Sequence, residues 1–413
     1  MTMDNTYEEN ISQSPTEKIY FFGLILYILQ YLQYETQWDY GPSVDLLLQV
    51  IVLFSLSAHM LSTLIQCEKD SFRIVFLFSL IVTIVVGTNA RFIPESSLLY
   101  SLLVTLLLVF GAMYIDFQKI VKTYLVVGGA YCIVTVMASL LGVINNISDV
   151  YIRDDDVIGA VDNFYRMSFG YGWSTNMANH VFFIILAFFY WISRPFNKIE
   201  ILMCAIISSF VLYYTGSRLS TICVFLMLSF TLCYKTIFGK RMLTNSWLLY
   251  LLIFCIPFFA IISFLVTNAY DETDMTWMIT DVVLSGRLHI GQDAFEMAGI
   301  PLWGQFYEMF GSARDDGDAY NYLDNSYVQS LVIYGLIYTF LLVVGYVVTC
   351  WKAFNRKDYF LIYSIFLAGF SGLIAQHFIE IYMNPFLIAL FANHSEIEVT
   401  DGYALDSDIE SDC

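Results

Sequence analysis

Apolar runs long enough to cross a lipid bilayer recur along almost the whole chain and leave little sequence between them. A transmembrane helix needs about 20 predominantly apolar residues. By that measure helices are predicted near 19–34, 44–65, 73–89, 97–115, 121–144, 178–193, 199–215, 219–238, 246–267, 326–351, 359–376 and 379–392. Composition agrees, with 58% of the 413 residues hydrophobic and 14% charged, where a soluble domain carries about 25% charged residues. The chain therefore reads as an all-α polytopic membrane protein of about twelve spans.

The organisation is simple. Residues 1–18 form an acidic N-terminal segment without a cleavable signal, 19–392 one membrane domain, and 393–413 an acidic tail predicted to be disordered. No solenoid repeat or Pro/Gly/Ser linker divides the chain. Placing both termini in the cytoplasm puts thirteen of the 19 Lys and Arg residues on the inner side, every lysine among them. Six arginines are left outside: Arg91, Arg153, Arg166, Arg218, Arg287 and Arg314. Two longer connections, 145–177 and 268–325, then face outward. A net charge of −18 and the lack of a basic stripe exclude nucleic acid as a partner. The eight cysteines show neither C-x-x-C nor zinc spacing, so no metal site is expected on them.

Long loops with their own chemistry are usually functional, and the second outer loop has it. Ser285 is a plausible N-cap for a short helix that Gly299 and Pro301 end, with Leu284, Leu288, Gly291, Phe295 and Ala298 on one apolar face. Too short to span, that helix suits the outer membrane surface. Arg287 in its first turn is either a solvated charge or an anion ligand favoured by the helix dipole. Asp324 and Asn325, entering the tenth predicted span, are either a helix cap or a base placed beside a phosphate site.

Other charged positions are read the same way. Arg218, in the break Gly216, Ser217, Arg218, either reaches the headgroups or binds an anion where the next helix starts. His377 and Glu380 flank the turn between the last two spans, as a second acid/base pair or a structural link. Glu35 and Asp39 can face a substrate, though their turn is short. His59 and His289 lack evident partners and read as structural. The acids 154–156 and 315–318 lack the context or spacing of a metal site.

Four landmarks together resemble the Wzy-type oligosaccharide repeat-unit polymerases of capsule, exopolysaccharide and O-antigen synthesis, which share a superfamily with the O-antigen ligases. Arg166, Ser168, Gly170, Tyr171 and Asn176 are similar to the R-x-S-x-G-F-x-x-P-N signature of Gram-positive members, with Thr175 where proline is usual. Gly216, Ser217 and Arg218 resemble the family's G-S-R. Ser285, Gly286 and Arg287, followed by Pro301, Trp303 and Gly304, resemble its S-G-R…P-x-x-G loop. Asp324, Asn325 and Tyr327, with Gly335 beyond, resemble D/H-N-x-Y…G, with Asp324 in place of the common histidine.

The resemblance implies a GT-C-like, metal-independent glycosyltransferase of the bacterial plasma membrane, working without a cofactor. The donor would be a growing glycan on undecaprenyl diphosphate and the acceptor a lipid-linked repeat unit delivered by a flippase, with a chain-length regulator in the same pathway. Arg218 and Arg287, with Arg166 or Arg314, would hold the diphosphate. Asp324 or Glu380, with His377 beside the latter, would take the proton, and Asn176, Ser217, Asn325 and Tyr327 would support the site. An O-antigen-type ligase differs only in its acceptor. A lipid-linked oligosaccharide flippase or secondary transporter has a similar span count, but transporters concentrate charge and repeats at mid-membrane.

Overall fold

The computed structural model describes residues 15–92, 97–155, 160–309 and 321–394, with backbone alone at 15, 148–155 and 160–165. Most of the N-terminal segment, the tail beyond 394, Arg314, the acids 315–318 and Asp156 lie outside the described residues.

The first half comprises α1 (Pro15–Tyr34), α2 (Pro42–Gln66), α3 (Asp70–Asn89), α4 (Leu99–Gly111) and α5 (Phe117–Leu140). A hairpin, β1 (Ser148–Asp155) and β2 (Ala160–Met167), follows, and then α6 (Ser174–Ile192), α7 (Lys198–Thr215), α8 (Arg218–Tyr234) and α9 (Ile237–Leu243). The second half holds α10 (Ser246–Asn268), α11 (Met275–Val283), α12 (Arg287–Ala298), α13 (Ser326–Gln329), α14 (Gly335–Asn355) and α15 (Tyr359–Ser371).

Among the described residues, seven helices are long and apolar enough to cross a membrane: α2, α3, α5, α6, α7, α10 and the continuous run Ser326–Asn355. The bent pair α8 and α9 makes an eighth if counted as one span. In hydrocarbon every backbone N–H and C=O must be satisfied within the protein, which is why apolar runs of this length become helices. The flanks of these helices look outward as hydrophobe: Leu46, Val50, Phe54 and Leu61 on α2, and Ile199, Leu202 and Ile206 on α7, are exposed. A soluble protein does not expose apolar surface on this scale, so the class is a multi-pass membrane protein.

Short polar side chains set the starts. Asp116, Asn245, Asp274, Asn325 and Asp358 each accept a backbone N–H of the helix they precede, and Asn197 and Glu200 form a full capping box on α7.

Three local expectations need correction. The predicted last helix, 379–392, is not an α-helix: short 3₁₀ turns at Gln376–Phe378 and Pro385–Leu390 carry the chain instead. Pro385 lacks an N–H to continue a helix, and Asn384 folds its side chain onto the Phe386 N–H. The segment ends beside α5, where Phe117 N–H meets Asn393 O at 2.8 Å. The loop 145–177 is largely an antiparallel hairpin, paired from Ser148 with Met167 to Asp155 with Ala160, and α6 starts inside it. Ser285 is not the N-cap of α12. It has φ 60°, Gly286 takes the cap position with φ 79°, and Asp281 supplies the cap from α11.

The run Ser326–Asn355 carries a π-turn at Ser330–Tyr334, closed by Gly335 at φ 84°. Such turns break the regular helical ladder, and the loop after α12 lies along this one. Gln305 N–H donates to Ile333 O at 3.0 Å, and Leu336 N–H to Pro301 O at 2.9 Å. A Cβ on Gly335 would lie 2.6 Å from the Gly304 nitrogen. Two landmarks separated in sequence, Pro301 to Gly304 and Gly335, are thus one backbone contact.

Candidate functional site

The site grows from the end of α1. Glu35 follows its last residue, and the chain around it is pinned by the segment after β2. Gln37 N–H donates to Gly170 O at 2.8 Å and Gly172 N–H to Glu35 O at 2.8 Å. Gly170 has φ 84°, and a Cβ there would lie 2.6 Å from the Ile144 side chain, so this turn requires glycine. Asn176, in the first turn of α6, donates its amide to the Glu35 carboxylate. The first landmark therefore acts structurally as the clamp on Glu35.

The last turns of the chain complete the cluster. His377 Nδ1 lies 2.5 Å from Glu380 Oε2. Tyr382 Oη lies 2.7 Å from Glu35 Oε1 and 2.8 Å from Glu380 Oε2. Glu35 and His377 are buried and Glu380 is partly open. Ligand atoms of Glu35, His377 and Glu380 all lie within 4.8 Å of one another. Two carboxylates and an imidazole are a donor set that can hold a divalent cation. Here each is also engaged by hydrogen bonds from Asn176, Tyr382 or its cluster neighbour, so the same groups can hold and pass a proton.

Arg287 and Asp324 brace the segment that carries His377. The guanidinium gives Nε–H to Ile374 O and an Nη1 hydrogen to Leu284 O, both at 2.9 Å. Its Nη2 pairs with Asp324 Oδ2 at 2.9 Å. Ser326 donates to Ala375 O at 2.5 Å, and Ser326 N–H donates to Gly372 O at 2.9 Å. Asn325 caps α13 by accepting from the N–H groups of Tyr327 and Val328, and donates to Ser263. Tyr327 donates to Gly369 O at 2.9 Å. Asn325 and Tyr327 thus hold backbone in place.

The other expected residues are dispersed. Gly216 ends α7, and Ser217 Oγ meets Ser220 Oγ, which meets Asn179 on α6 at 2.7 Å. Arg218 opens α8 with an exposed side chain whose guanidinium makes no hydrogen bond or ion pair with the described residues. Arg166 lies one residue before the end of β2, partly buried, and has an interaction of its own. His59, expected to lack partners, has two: its ring nitrogens lie 2.8 Å from Thr16 O and from Gly111 O, contacts that tie backbone together.

His289 also has a partner. Its Nδ1 lies 2.6 Å from Asp281 Oδ2, while Asp281 Oδ1 accepts the Leu288 N–H at 2.7 Å. Burial works against the Asp281 charge, but the hydrogen bonds from His289 and Leu288 prevail and hold it below the usual carboxylate range. The bond to Asp281, opposed by burial, lifts His289 above its ordinary value.

The sequence offers Glu35 only as a substrate contact in a short turn, and nothing in it singles out Tyr382. The available signal was a carboxylate at the end of a membrane-length run, a position where a charge normally has a partner or a task. Fold and site together define a multi-pass helical membrane protein with a Glu–His–Glu cluster, two members buried and Glu380 partly open, between the end of α1 and the turns after α15. No family model matches the chain, nor does any curated protein or solved structure.

Proposed function

We propose that this protein is a polysaccharide repeat-unit polymerase, transferring a growing glycan from undecaprenyl diphosphate to a lipid-linked repeat unit at the outer face of the bacterial plasma membrane. The observation that carries this reading is the meeting of the Glu35, His377 and Glu380 cluster with the segment braced by Arg287 and Asp324. It is a proton-accepting group on a segment held by one guanidinium, Arg287, the kind of pairing that transfer from a diphosphate needs.

In this reading the bundle makes twelve passes in a GT-C-like arrangement. The seven long helices and the pair α8 and α9 are joined by α1, α4, α15 and the irregular return 379–392. Both termini are cytoplasmic, which places Glu35 and α12 outside. The acceptor hydroxyl attacks the anomeric carbon of the donor sugar, and the bond to the diphosphate oxygen breaks with its electron pair. Arg287 stabilises the leaving diphosphate, an effect worth about 10²–10³ in rate per donor. Arg218 and Arg166, which are not gathered at the cluster, and Arg314, which lies outside the described residues, are the further candidates for that role. The hydroxyl proton passes to Glu380, and His377 and Glu35 share the resulting charge. Asp324 holds Arg287 and is assigned as its partner, not as the base. A flippase supplies the units and a chain-length regulator limits the product.

The test is a gene deletion in the host, complemented with wild type, Glu380→Gln or Arg287→Ala, with surface glycan sized on gels. Single lipid-linked units in the deletion strain, and no polymer from either variant at normal membrane levels, are the expected result. Long polymer in the deletion strain would overturn the reading. Units that never reach the outer face would point to transport, and polymer made but never joined to its final acceptor would point to a ligase.

A further inference from the structure

Next to the cluster lies a polar and aromatic network that the proposed chemistry does not use. Asp45, in the first turn of α2, leaves its own helix uncapped. Its carboxylate instead accepts from Gln30 and Gln33 at 3.0 Å each, from the Tyr34 hydroxyl at 2.6 Å and from Gln49 at 2.9 Å. Tyr100, near the start of α4, donates to the Gln30 amide oxygen at 2.6 Å. The amide oxygens of Gln33 and Gln49 accept no hydrogen bond from the described residues, although their nitrogens are fixed. Three helices thus contribute to a rigid hub with spare acceptors.

The network continues to the cluster through ring stacking. Tyr100 lies parallel to Tyr31, with centroids 6.2 Å apart and planes 2° apart. Tyr31 stacks in turn on Tyr382 at 5.0 Å, the residue whose hydroxyl touches both glutamates. At the other edge Tyr34 is 58% exposed, which leaves aromatic surface open beside Asp45. An aromatic face for C–H groups, next to oriented amides and a carboxylate, fits a polyhydroxylated ring better than an acyl chain or a phosphate. An acyl chain would strand the polar groups, and the Asp45 charge repels an anion.

We propose that the Asp45 hub, with Tyr34 and Tyr100, is a sugar-binding subsite that seats the acceptor glycan with its reacting end toward Glu380. The inference rests on the polymerase reading for the word acceptor and on the geometry alone for the word sugar. Glycan hydroxyls donate to Gln33 and Gln49, and Tyr34 takes the ring face.

The experiment uses the full-length protein in detergent and lipid-linked units extracted from the deletion strain. Tyr34→Ala and Gln33→Leu are expected to raise the half-saturating unit concentration roughly tenfold, as loss of one polar or stacking contact does, with kcat within about twofold. Tyr34→Trp, which keeps a ring face, should restore most of the affinity. In parallel, the oligosaccharide released from its lipid by mild acid is titrated against each protein by intrinsic fluorescence. Unchanged half-saturation and unchanged titrations in both variants would overturn the subsite. If wild type elongates nothing yet binds the released glycan, and Tyr34→Ala does not, the polymerase reading fails and the sugar subsite stands. If wild type binds no glycan, the subsite falls whatever the enzyme does.

Discussion

Tyr382 donates its hydroxyl to Glu35 at 2.7 Å, tying the last buried turns of the chain to the end of its first helix. The same oxygen lies 2.8 Å from Glu380, and one hydrogen cannot be given fully to two carboxylates. The second contact becomes a full hydrogen bond when one carboxyl keeps a proton and donates it back. Such a shared proton is what a group that accepts and later releases one requires.

Tyr382→Phe should therefore lower polymerisation by about 10–100-fold, the range for losing a hydrogen bond to a charged group, without loss of membrane level. Glu380→Gln should cost more, about 10²–10⁴-fold, as for a lost general base. Initial rates with extracted lipid-linked units measure both, and a Tyr382→Phe enzyme at wild-type rate would remove the hydroxyl from the mechanism.

Arg287→Lys should fail nearly as badly as Arg287→Ala. The guanidinium meets Ile374, Leu284 and Asp324 in three directions, which a point-charge ammonium cannot reproduce. Asp324→Asn keeps an acceptor for Arg287 and should retain more activity than either. Comparing the three in the same membranes decides it, and equal activity of Lys and Arg at 287 would refute the geometric role.

Gly335→Ala should destabilise the fold by roughly 1–3 kcal/mol, the usual range for backbone strain. The residue is held at φ 84°, and its new Cβ would meet the Gly304 nitrogen at 2.6 Å. Thermal unfolding in detergent, followed by loss of the monodisperse peak, measures the effect. A variant with the wild-type midpoint would show that the loop after α12 yields easily.

The Asp281 and His289 clamp should make the start of α12 sensitive to pH in a defined sense. His289 titrates above its ordinary value, so its contribution is complete below about pH 6.5 and fades as pH rises through the lifted value. Asp281 titrates below its ordinary value, so its contribution is complete above about pH 3.9 and fades as pH falls through the lowered one. Proteolytic nicking near Leu288, compared with Asp281→Asn at each pH, should show the largest protection between those limits. A difference independent of pH would mean that Asp281 acts as a neutral cap.

Orientation can be read chemically. Cys233 is exposed near the end of α8, on the side proposed to face the cytoplasm, whereas Thr273 lies just before α11 on the opposite side. In whole cells a membrane-impermeant maleimide should label Thr273→Cys and leave Cys233 unmodified until the cells are opened. The reverse pattern would invert the topology and move the cluster to the inner face.

Much of the frame was legible in the amino-acid order because its cause is local. Length and hydropathy of a run decide whether it suits a bilayer, and an Asp or Asn before it marks the start, as Asp116, Asn245 and Asn325 do. Arg287 in the first turn of a short helix and the adjacency of His377 and Glu380 were readable for the same reason. The irregular return after Ile379 was not, because its course is fixed by bonds to other segments, Phe117 and Ile115 through Asn393 and Tyr346 through Asn384. The hairpin at 148–167 was not, because its polar, acidic strands carry no apolar alternation to mark them.

The sequence by itself determined that this is a helical membrane protein with charge gathered in its connections. Only the tertiary structure decided which charges meet. Glu35 joins His377 and Glu380 because Gly170, Gly172 and Asn176 hold it there, and Arg287 finds Asp324 because Arg287 and Ser326, two residues after Asp324, both bond to the turn after α15. A carboxylate in a short turn carries no mark of its future partners. Burial and hydrogen-bond geometry, which turn it into part of a site, exist only once distant helix ends are packed together.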